Sequence, residues 1–470
     1  MELVIVLLAL GMLMFIAYRG FSVIIFAPLC ALFAVLLTDP HQILPFYTNV
    51  FMGKLAEYVK LYFPIFLLGA TFGKVVEMSG LSRSIASSII KVVGAKRAML
   101  AIVLLCAILT YSGVSLVVVA FAVYPFAAHL FRQSDIPKRL IPGTIALGSF
   151  TFTMDALPGS PQVQNVIPTT FFKTDLYAAP LLGIIGAIFI FIIGMWYLES
   201  RRKKAVEAGE GYDCFGTIKE NEDFNIDLDQ SESIGRRIFA FVPVILVGVL
   251  TKVFTILIPK WYPNGFDFAK LKLDVYGTIE TSKVVGIWSV ELALLIGIIL
   301  TIIYNRKPVF MDFKAGMKVG IAGALLAIMN SATEYGFGAV ISSLPGFNVA
   351  KEGISKVFTN PLINGAVTTN VLSAISGSAS AGIAISLGIM AENYIKMAAD
   401  FGIPLEVMHR VISMASGGMD TLPHNGAVIT LLAITGLTHK QSYRDIFAIT
   451  IFKTIAAFFV IAVYLLTGIV

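Results

Sequence analysis

Charge is scarce in this chain. Only 14% of its 470 residues are Asp, Glu, Lys or Arg, while 57% are hydrophobic. A soluble chain carries about 25% charged residues. The shortage leaves no room for a sizeable soluble domain. Cysteine is scarcer still. Cys30 and Cys106 lie in apolar runs and Cys214 in a polar stretch. Three cysteines without ligand spacing exclude a disulfide framework and a thiolate metal centre. Strict ten-residue alternation is missing too, which excludes a transmembrane β-barrel. Neither H-E-x-x-H nor G-x-S-x-G occurs, so metalloprotease and hydrolase chemistry have no support. The stretch Gly69–Val75, GATFGKV, is one residue short of a phosphate loop and has no Ser or Thr after Lys74. No ATP site is expected, nor any enzyme activity, cofactor, metal or nucleic-acid partner.

What is there is apolar sequence in runs of about 20 residues, each long enough to cross a bilayer. The expected fold is an all-α polytopic membrane protein. The first run starts after Glu2 without a basic leader or a small-residue cleavage site, so it reads as a retained helix. Spans are expected at 3–18, 21–38 and 61–79, with 39–60 interfacial. A hairpin is expected at 98–130, bent near Tyr111–Ser115. A crossing follows at 140–172, interrupted at Asp155–Pro161, and then a span at 176–198. Residues 199–237 form a polar linker. The second half offers spans at 238–258, 284–304 and 319–340. It continues with a hairpin at 358–390, bent near Ser376–Ser380, and a crossing at 407–435, interrupted at Asp420–Gly426. A final span covers 443–468. Lys and Arg mark cytoplasmic loops. Arg83, Lys91, Lys96 and Arg97 precede the first hairpin, and Arg132, Lys138 and Arg139 follow it. That hairpin is therefore expected to open inside, the linker to lie inside, and both termini outside. The second hairpin has no basic flank and fits the outside.

The halves match at an offset of 264 to 266 positions. Gly73 falls on Gly338 and Gly80 on Gly346. Ser112–Gly113 falls on Ser376–Gly377, Met154–Asp155 on Met419–Asp420, Leu157–Pro158 on Leu422–Pro423, and Thr174 on Thr438. Each half then makes an odd number of full crossings, so the halves are expected to be inverted. The expected domains are a first repeat at 1–198, the linker at 199–237 and a second repeat at 238–470. Inverted repeats with paired broken helices are the pattern of secondary transporters, with the site near the midplane.

A broken helix in a membrane exposes backbone that must face protein, water or a ligand. It also creates a half-helix N-terminus with free N–H donors and a positive dipole end. Ser160 is expected to cap a half-helix starting at Pro161, and Asn425 one starting at Gly426. The hairpin tips supply Ser112, Gly113 and Ser115, and Ser376, Gly377 and Ser378. Together with Gln162 they form a cradle expected to hold a small carboxylate. Arg410 is expected far from the break, leaving the anion to be held without a buried Arg or Lys. Asp155 and Asp420 are intramembrane acids, and such residues are functional candidates. With His424 and Glu334 they are candidates for a coupling ion, either a proton or sodium. The residues leave these two open. Lys74 with Glu77, and Lys252 with Glu291, are expected as ion pairs.

At RGF after the first helix, at the polar linker, at LPGSPQ (Leu157–Gln162) and at HNGA (His424–Ala427), the chain resembles the gluconate permease (GntP) family of carboxylate:proton symporters. The resemblance covers nearly the full length. It implies inverted repeats with paired hairpins, a homodimer, and a transport domain that moves past a scaffold like an elevator. The chain departs from the sugar-acid pattern. Pro158-Gly159-Ser160-Pro161 has no histidine, and His424-Asn425-Gly426 has no following acid. Fewer polar groups imply a less hydroxylated substrate, and the chain looks closer to a branch associated with 3-hydroxybutyrate. The expected function is cation-coupled, mainly proton-coupled, uptake of a small monocarboxylate across a bacterial inner membrane. The alternatives are a gluconate-type sugar-acid symporter, a sodium-coupled carboxylate transporter and an anion channel.

Overall fold

Helix is the economical answer to this composition. In lipid every backbone N–H and C=O must be satisfied within the protein, and a helix does so within one segment. The computed structural model describes residues 2–19, 21–94, 97–114, 116–212, 234–347, 349, 358–423 and 425–470. Nearly all of its regular structure is α-helical, apart from an antiparallel pair of two-residue strands, Phe266–Asp267 and Thr278–Ile279. Among the described residues, six helices are long and apolar enough to cross a membrane. Their outer faces stay greasy. Pro180–Glu207 exposes Leu181, Ile184, Ile188, Ile192 and Trp196 along one stripe. The three-to-four-residue spacing puts them on one helix face. Water would penalise such a face, and lipid does not.

The two halves present matching elements in the same order. In the first, Glu2–Tyr18 pairs with Val23–Thr38; in the second, Ile234–Trp261 pairs with Thr281–Tyr304. The long helices Met52–Met78 and Phe313–Ser343 follow, and they pack on each other. The hairpins come next: Ala98–Tyr111 with Leu116–Gln133, and Pro361–Ser376 with Ala379–Asp400. The first broken helix is Ile141–Ser149, Phe152–Asp155 and Val163–Phe172. The second is Leu405–Gly417, a 3-10 turn at Gly418–Thr421, and Gly426–Thr435. Each half closes with a long helix, Pro180–Glu207 or His439–Thr467, and these two pack together.

The halves interlock at the breaks. Val163–Phe172 packs on the returning arm of the second hairpin, and Gly426–Thr435 packs on the returning arm of the first. The aligned glycines Gly73 and Gly338 do equivalent work. A Cβ on Gly73 would meet Val114 of the tip at 2.7 Å and Val118 of the returning arm at 3.1 Å, and one on Gly338 would meet Ile385 of the returning arm at 2.4 Å. In both halves, then, a glycine lets the long helix approach the returning arm of its own hairpin.

Several expected boundaries move. Residues 39–60 are helical rather than merely interfacial, running through Pro40–Gln42, Ile43–Pro45 and Phe46–Phe51 into Met52–Met78. Asp39 starts this run by accepting from the His41 N–H at 3.0 Å. The basic stretch at 81–93 is an amphipathic helix, Leu81–Val93, entered through the left-handed Gly80 at φ 79°. The 319–340 span begins earlier, at Phe313, and the second hairpin extends to Asp400. Lys74 and Glu77 pair at 2.8 Å as expected for residues one turn apart. Lys252 does not go to Glu291. It reaches Asp175 at 3.4 Å and sits 4.4 Å from the centre of the Tyr177 ring, both beside the first break. Of the linker, 199–212 is described, with the helix continuing to Glu207; 213–233, including Cys214, lies outside the described residues.

Candidate functional site at the two helix breaks

At the second break the chain behaves as its sequence predicts. Asn425 is the N-cap of Gly426–Thr435, and its Oδ1 accepts from the Ala427 N–H at 2.7 Å. Its Nδ2 donates to the Gly377 carbonyl at 2.7 Å, tying the break to the second hairpin tip. The first break reaches the same result with a different residue. The half-helix starts at Val163 rather than Pro161, and its N-cap is Gln162. Gln162 Nε2 donates to the carbonyls of Thr110 and Val114, at 2.7 and 3.1 Å, holding the first hairpin tip. Ser160 is not the cap. Its hydroxyl donates to the Thr153 carbonyl at 2.6 Å, because the loop folds back over the preceding turn. Each break is thus fastened to the hairpin of its own half by an amide at the cap position.

The hairpin tips are tight turns. Gly113 and Gly377 have φ of +93° and +72°, a region glycine enters without steric cost. The Ser112 hydroxyl donates within its own turn to the Leu109 carbonyl at 2.6 Å. Ser376 donates to the carbonyls of Ser373 and Ser378, at 3.3 and 3.1 Å. Ser378 caps Ala379–Asp400 through the Ala381 N–H, and its hydroxyl is 3.1 Å from that of Ser380. Ser380 in turn lies 3.0 Å from Ser331 on the long helix. Ser115 and His424 lie outside the described residues.

Asp420 sits where three elements meet. Its Oδ1 accepts from the Ala379 N–H at 2.7 Å and from Asn425 Nδ2 at 3.2 Å. Its Oδ2 accepts from Gln164 Nε2 at 3.1 Å. Ala379 begins the returning arm of the second hairpin, and Gln164 comes from the first break. Glu334 is also buried, against the Ser378 hydroxyl and within electrostatic reach of Asp420. Its Oε2 has no hydrogen-bond partner. The structure therefore brings Asp420, Glu334, Ser376, Gly377, Ser378 and Asn425 into one cluster.

Asp155 belongs to a second cluster. One oxygen forms an ion pair with Lys453 of the closing helix, and neither side chain is exposed. Lys453 also donates to the Phe150 carbonyl at 3.2 Å. Oδ1 of Asp155 has no partner. Arg410, expected far from its own break, is brought to the first one instead. Arg410 is one turn into its helix and fully buried, yet it crosses to the first break. It donates to the carbonyls of Asp155 at 2.9 Å, Ala178 at 2.8 Å and Leu176 at 3.4 Å, and to Asn165 Oδ1 at 3.0 Å. Asn165 in turn donates to the carbonyls of Ser160 and Leu176, both at 2.9 Å. His409 links Asn165 Oδ1, at 3.1 Å, to the Thr174 hydroxyl, at 2.7 Å. These groups satisfy the carbonyls that the break frees, which lipid could not do. Both cations are already committed to protein groups.

No family model matches the chain. Its sequence is 64% identical over 472 positions, spanning all of both chains, to the uncharacterized transporter YxjC of Bacillus subtilis strain 168. The chain belongs to that transporter family. Its fold is similar to that of the YdaH transporter of Alcanivorax borkumensis, whose crystal structure was described as having an unusual topology. The TM-score is 0.54 at 16% identity, over 92% of this chain and 90% of that one.

Within this transporter, several participants escape the sequence reading, Asn165 and His409 among them. Lys453 carried a signal, as a lone cation in an apolar span. Gln164 carried none, since an amide in an apolar helix commonly caps or packs. Arg410 was visible, but not its destination 245 residues away at Asn165.

Proposed function

We propose that this chain is a secondary active transporter that takes up a small monocarboxylate together with a proton, with 3-hydroxybutyrate as the substrate to try first. The observation that carries the reading is the meeting at Asp420 of the second hairpin tip, the second break and the half-helix Val163–Phe172 of the first break. A buried acid ligated by elements from both halves changes its contacts when the halves move relative to each other. That is the requirement for a coupling group at a repeat interface. Asp420 and Glu334 are the coupling acids in this reading. Asp155 is charge-matched by Lys453 and helps to fix the first break. The carboxylate of the substrate is held by the tip serines Ser376 and Ser378, the Asn425 cap and the N–H groups around Gly377 and Gly426. Ser112, Gly113, Ser160 and Gln162 shape the opposite wall.

The matched elements support repeats at 1–198 and 238–470, inverted with respect to each other, joined by a cytoplasmic linker at 199–237. Both termini then lie outside a bacterial inner membrane. The homodimer and the elevator movement rest on the resemblance to the gluconate permease family.

The test is uptake into liposomes containing the purified protein. Labelled 3-hydroxybutyrate is offered under an inward acid gradient, with and without sodium, and with gluconate as competitor. Accumulation driven by acid alone is expected. A strict sodium requirement overturns the proton assignment. Competition by gluconate at equal concentration overturns the preference for the smaller acid. Flux that never exceeds equilibration under any gradient, with no stimulation by substrate on the far side, makes the protein a channel.

A further inference from the structure

The place suited to a substrate carboxylate is already filled by the protein. Asp420 presents two carboxylate oxygens to donors from three elements: the Ala379 N–H at 2.7 Å, Asn425 Nδ2 at 3.2 Å and Gln164 Nε2 at 3.1 Å. Ala379 opens a helix of 22 residues, so its N–H lies at the positive end of a long dipole. Ser378, the cap of this helix, serves the Ala381 N–H and leaves the Ala379 N–H to Asp420. These donors hold a carboxylate that comes from another part of the chain.

A second observation is independent of these bonds. Glu334 comes from the long helix Phe313–Ser343, is 4% exposed, lies beside the Ser378 cap and Asp420, and keeps a buried Oε2 without a hydrogen-bond partner. A buried, unpaired carboxylate oxygen is costly and implies a missing donor or proton. Two acids are thus crowded around one set of carboxylate donors.

We propose that Asp420 is a resident stand-in for the substrate carboxylate, and that the substrate binds by displacing it. The inference rests on the transporter reading above. A proton from the side of uptake binds a carboxylate oxygen of Asp420. The neutral acid then yields the Ala379 N–H, Gln164 and Asn425 to the carboxylate of the incoming anion. On the far side the proton leaves, Asp420 recovers its donors, and the anion is expelled. One proton enters and leaves with each anion, and the charge at the donors is the same before and after. Coupling thereby follows from competition for one set of donors. Among the described residues, the other charged groups facing Asp420 are Lys453 from the closing helix, Asp155 from the first break and Glu334 from the long helix. Glu334 repels both the resident and the incoming carboxylate unless it shares a proton with Asp420.

The first measurement needs no substrate. Asp420→Ala removes the resident carboxylate and leaves its donors. Formate added to the purified full-length variant is expected to raise its Tm saturably, with chloride at equal concentration as the control. Wild type, whose donors are occupied, is expected not to respond at neutral pH. Absence of a formate-specific rise in the folded variant overturns the proposal. Asp420→Asn supplies the second measurement and decides the matter if the alanine variant does not fold. Wild-type binding of 3-hydroxybutyrate is expected to weaken about tenfold per pH unit once Asp420 ionises, the slope of a one-proton linkage. Asp420→Asn is expected to flatten that slope. A wild-type slope in the asparagine variant overturns the inference. Formate rescue without any 3-hydroxybutyrate binding upholds the carboxylate site and discards only the substrate. Proton-driven uptake by wild type without formate rescue upholds the transporter and discards the displacement.

Discussion

Asp155 and Lys453 form an ion pair sealed from solvent on both sides, although 298 residues separate them. The pair joins the first helix break to the closing helix of the second half. Breaking a buried pair by removing one partner costs about 3–5 kcal/mol, because the remaining charge is stranded. Asp155→Asn is therefore expected to lower the Tm of the purified protein strongly, and Lys453→Met likewise. The double variant Asp155→Asn/Lys453→Met is expected to recover most of the loss, since no charge is left unpaired. Additive losses in the double variant would show that the two charges do not act as a pair.

Gly417 makes that pairing possible. A Cβ placed there would lie 1.6 Å from an Asp155 oxygen and 2.0 Å from Lys453 Nζ. No side chain fits in that gap. Gly417→Ala is expected to cost as much as losing the pair, and to cost much less in the Asp155→Asn/Lys453→Met background. Equal costs in both backgrounds, measured by thermal unfolding, would separate the glycine from the ion pair.

Much of this arrangement was legible before the structure. The repeat offset, the two hairpins and the two breaks all follow from the spacing of Gly, Pro, Ser and Asp within apolar runs. The Asn425 cap was legible as well, because an Asn preceding Gly426 is a local signal. The first cap was misread for a physical reason. Pro161 suits a helix start, but the loop turns once more before Val163, and Ser160 is drawn to the Thr153 carbonyl. What stayed hidden was partnership. Lys453, Arg410 and Gln164 are visible as residues, yet their partners are brought to them only by the interlocking of the halves. No local pattern encodes that.

Arg410 illustrates the cost of such hidden partners. Its guanidinium serves three backbone carbonyls and one side-chain amide around the first break. Lysine keeps the charge but has no planar fork. Arg410→Lys is expected to leave at least one freed carbonyl unsatisfied, at about 1–3 kcal/mol for each group stranded. The check is thermal unfolding combined with hydrogen exchange. Amide protection is expected to fall at 156–178 and to hold in the hairpin Pro361–Asp400. Uniform loss of protection would make Arg410 a general core residue rather than the clasp of the first break.

Acid acts on a separate network, around Arg139. Arg139 holds Glu210 with two parallel bonds, at 2.5 and 2.6 Å, and also reaches Asp445 at 3.2 Å. Arg201 reaches the other oxygen of Asp445 at 2.7 Å. The network ties the entry of the first broken helix to the residues after Glu207 and to the closing helix. The hydrogen bond from Arg139 lowers the Glu210 carboxyl below the ordinary glutamate value. A depressed carboxyl contributes stability that is fully present above its unfolded value. That stability is lost as pH falls through the folded value. Glu210→Gln is therefore expected to lower Tm at neutral pH, where the wild-type carboxylate is ionised. As the medium is acidified below the glutamate range, the gap between variant and wild type is expected to close. Tm measured against pH for both proteins is the check. A gap that stays constant down the acid limb would mean that Glu210 acts through packing and not through its charge.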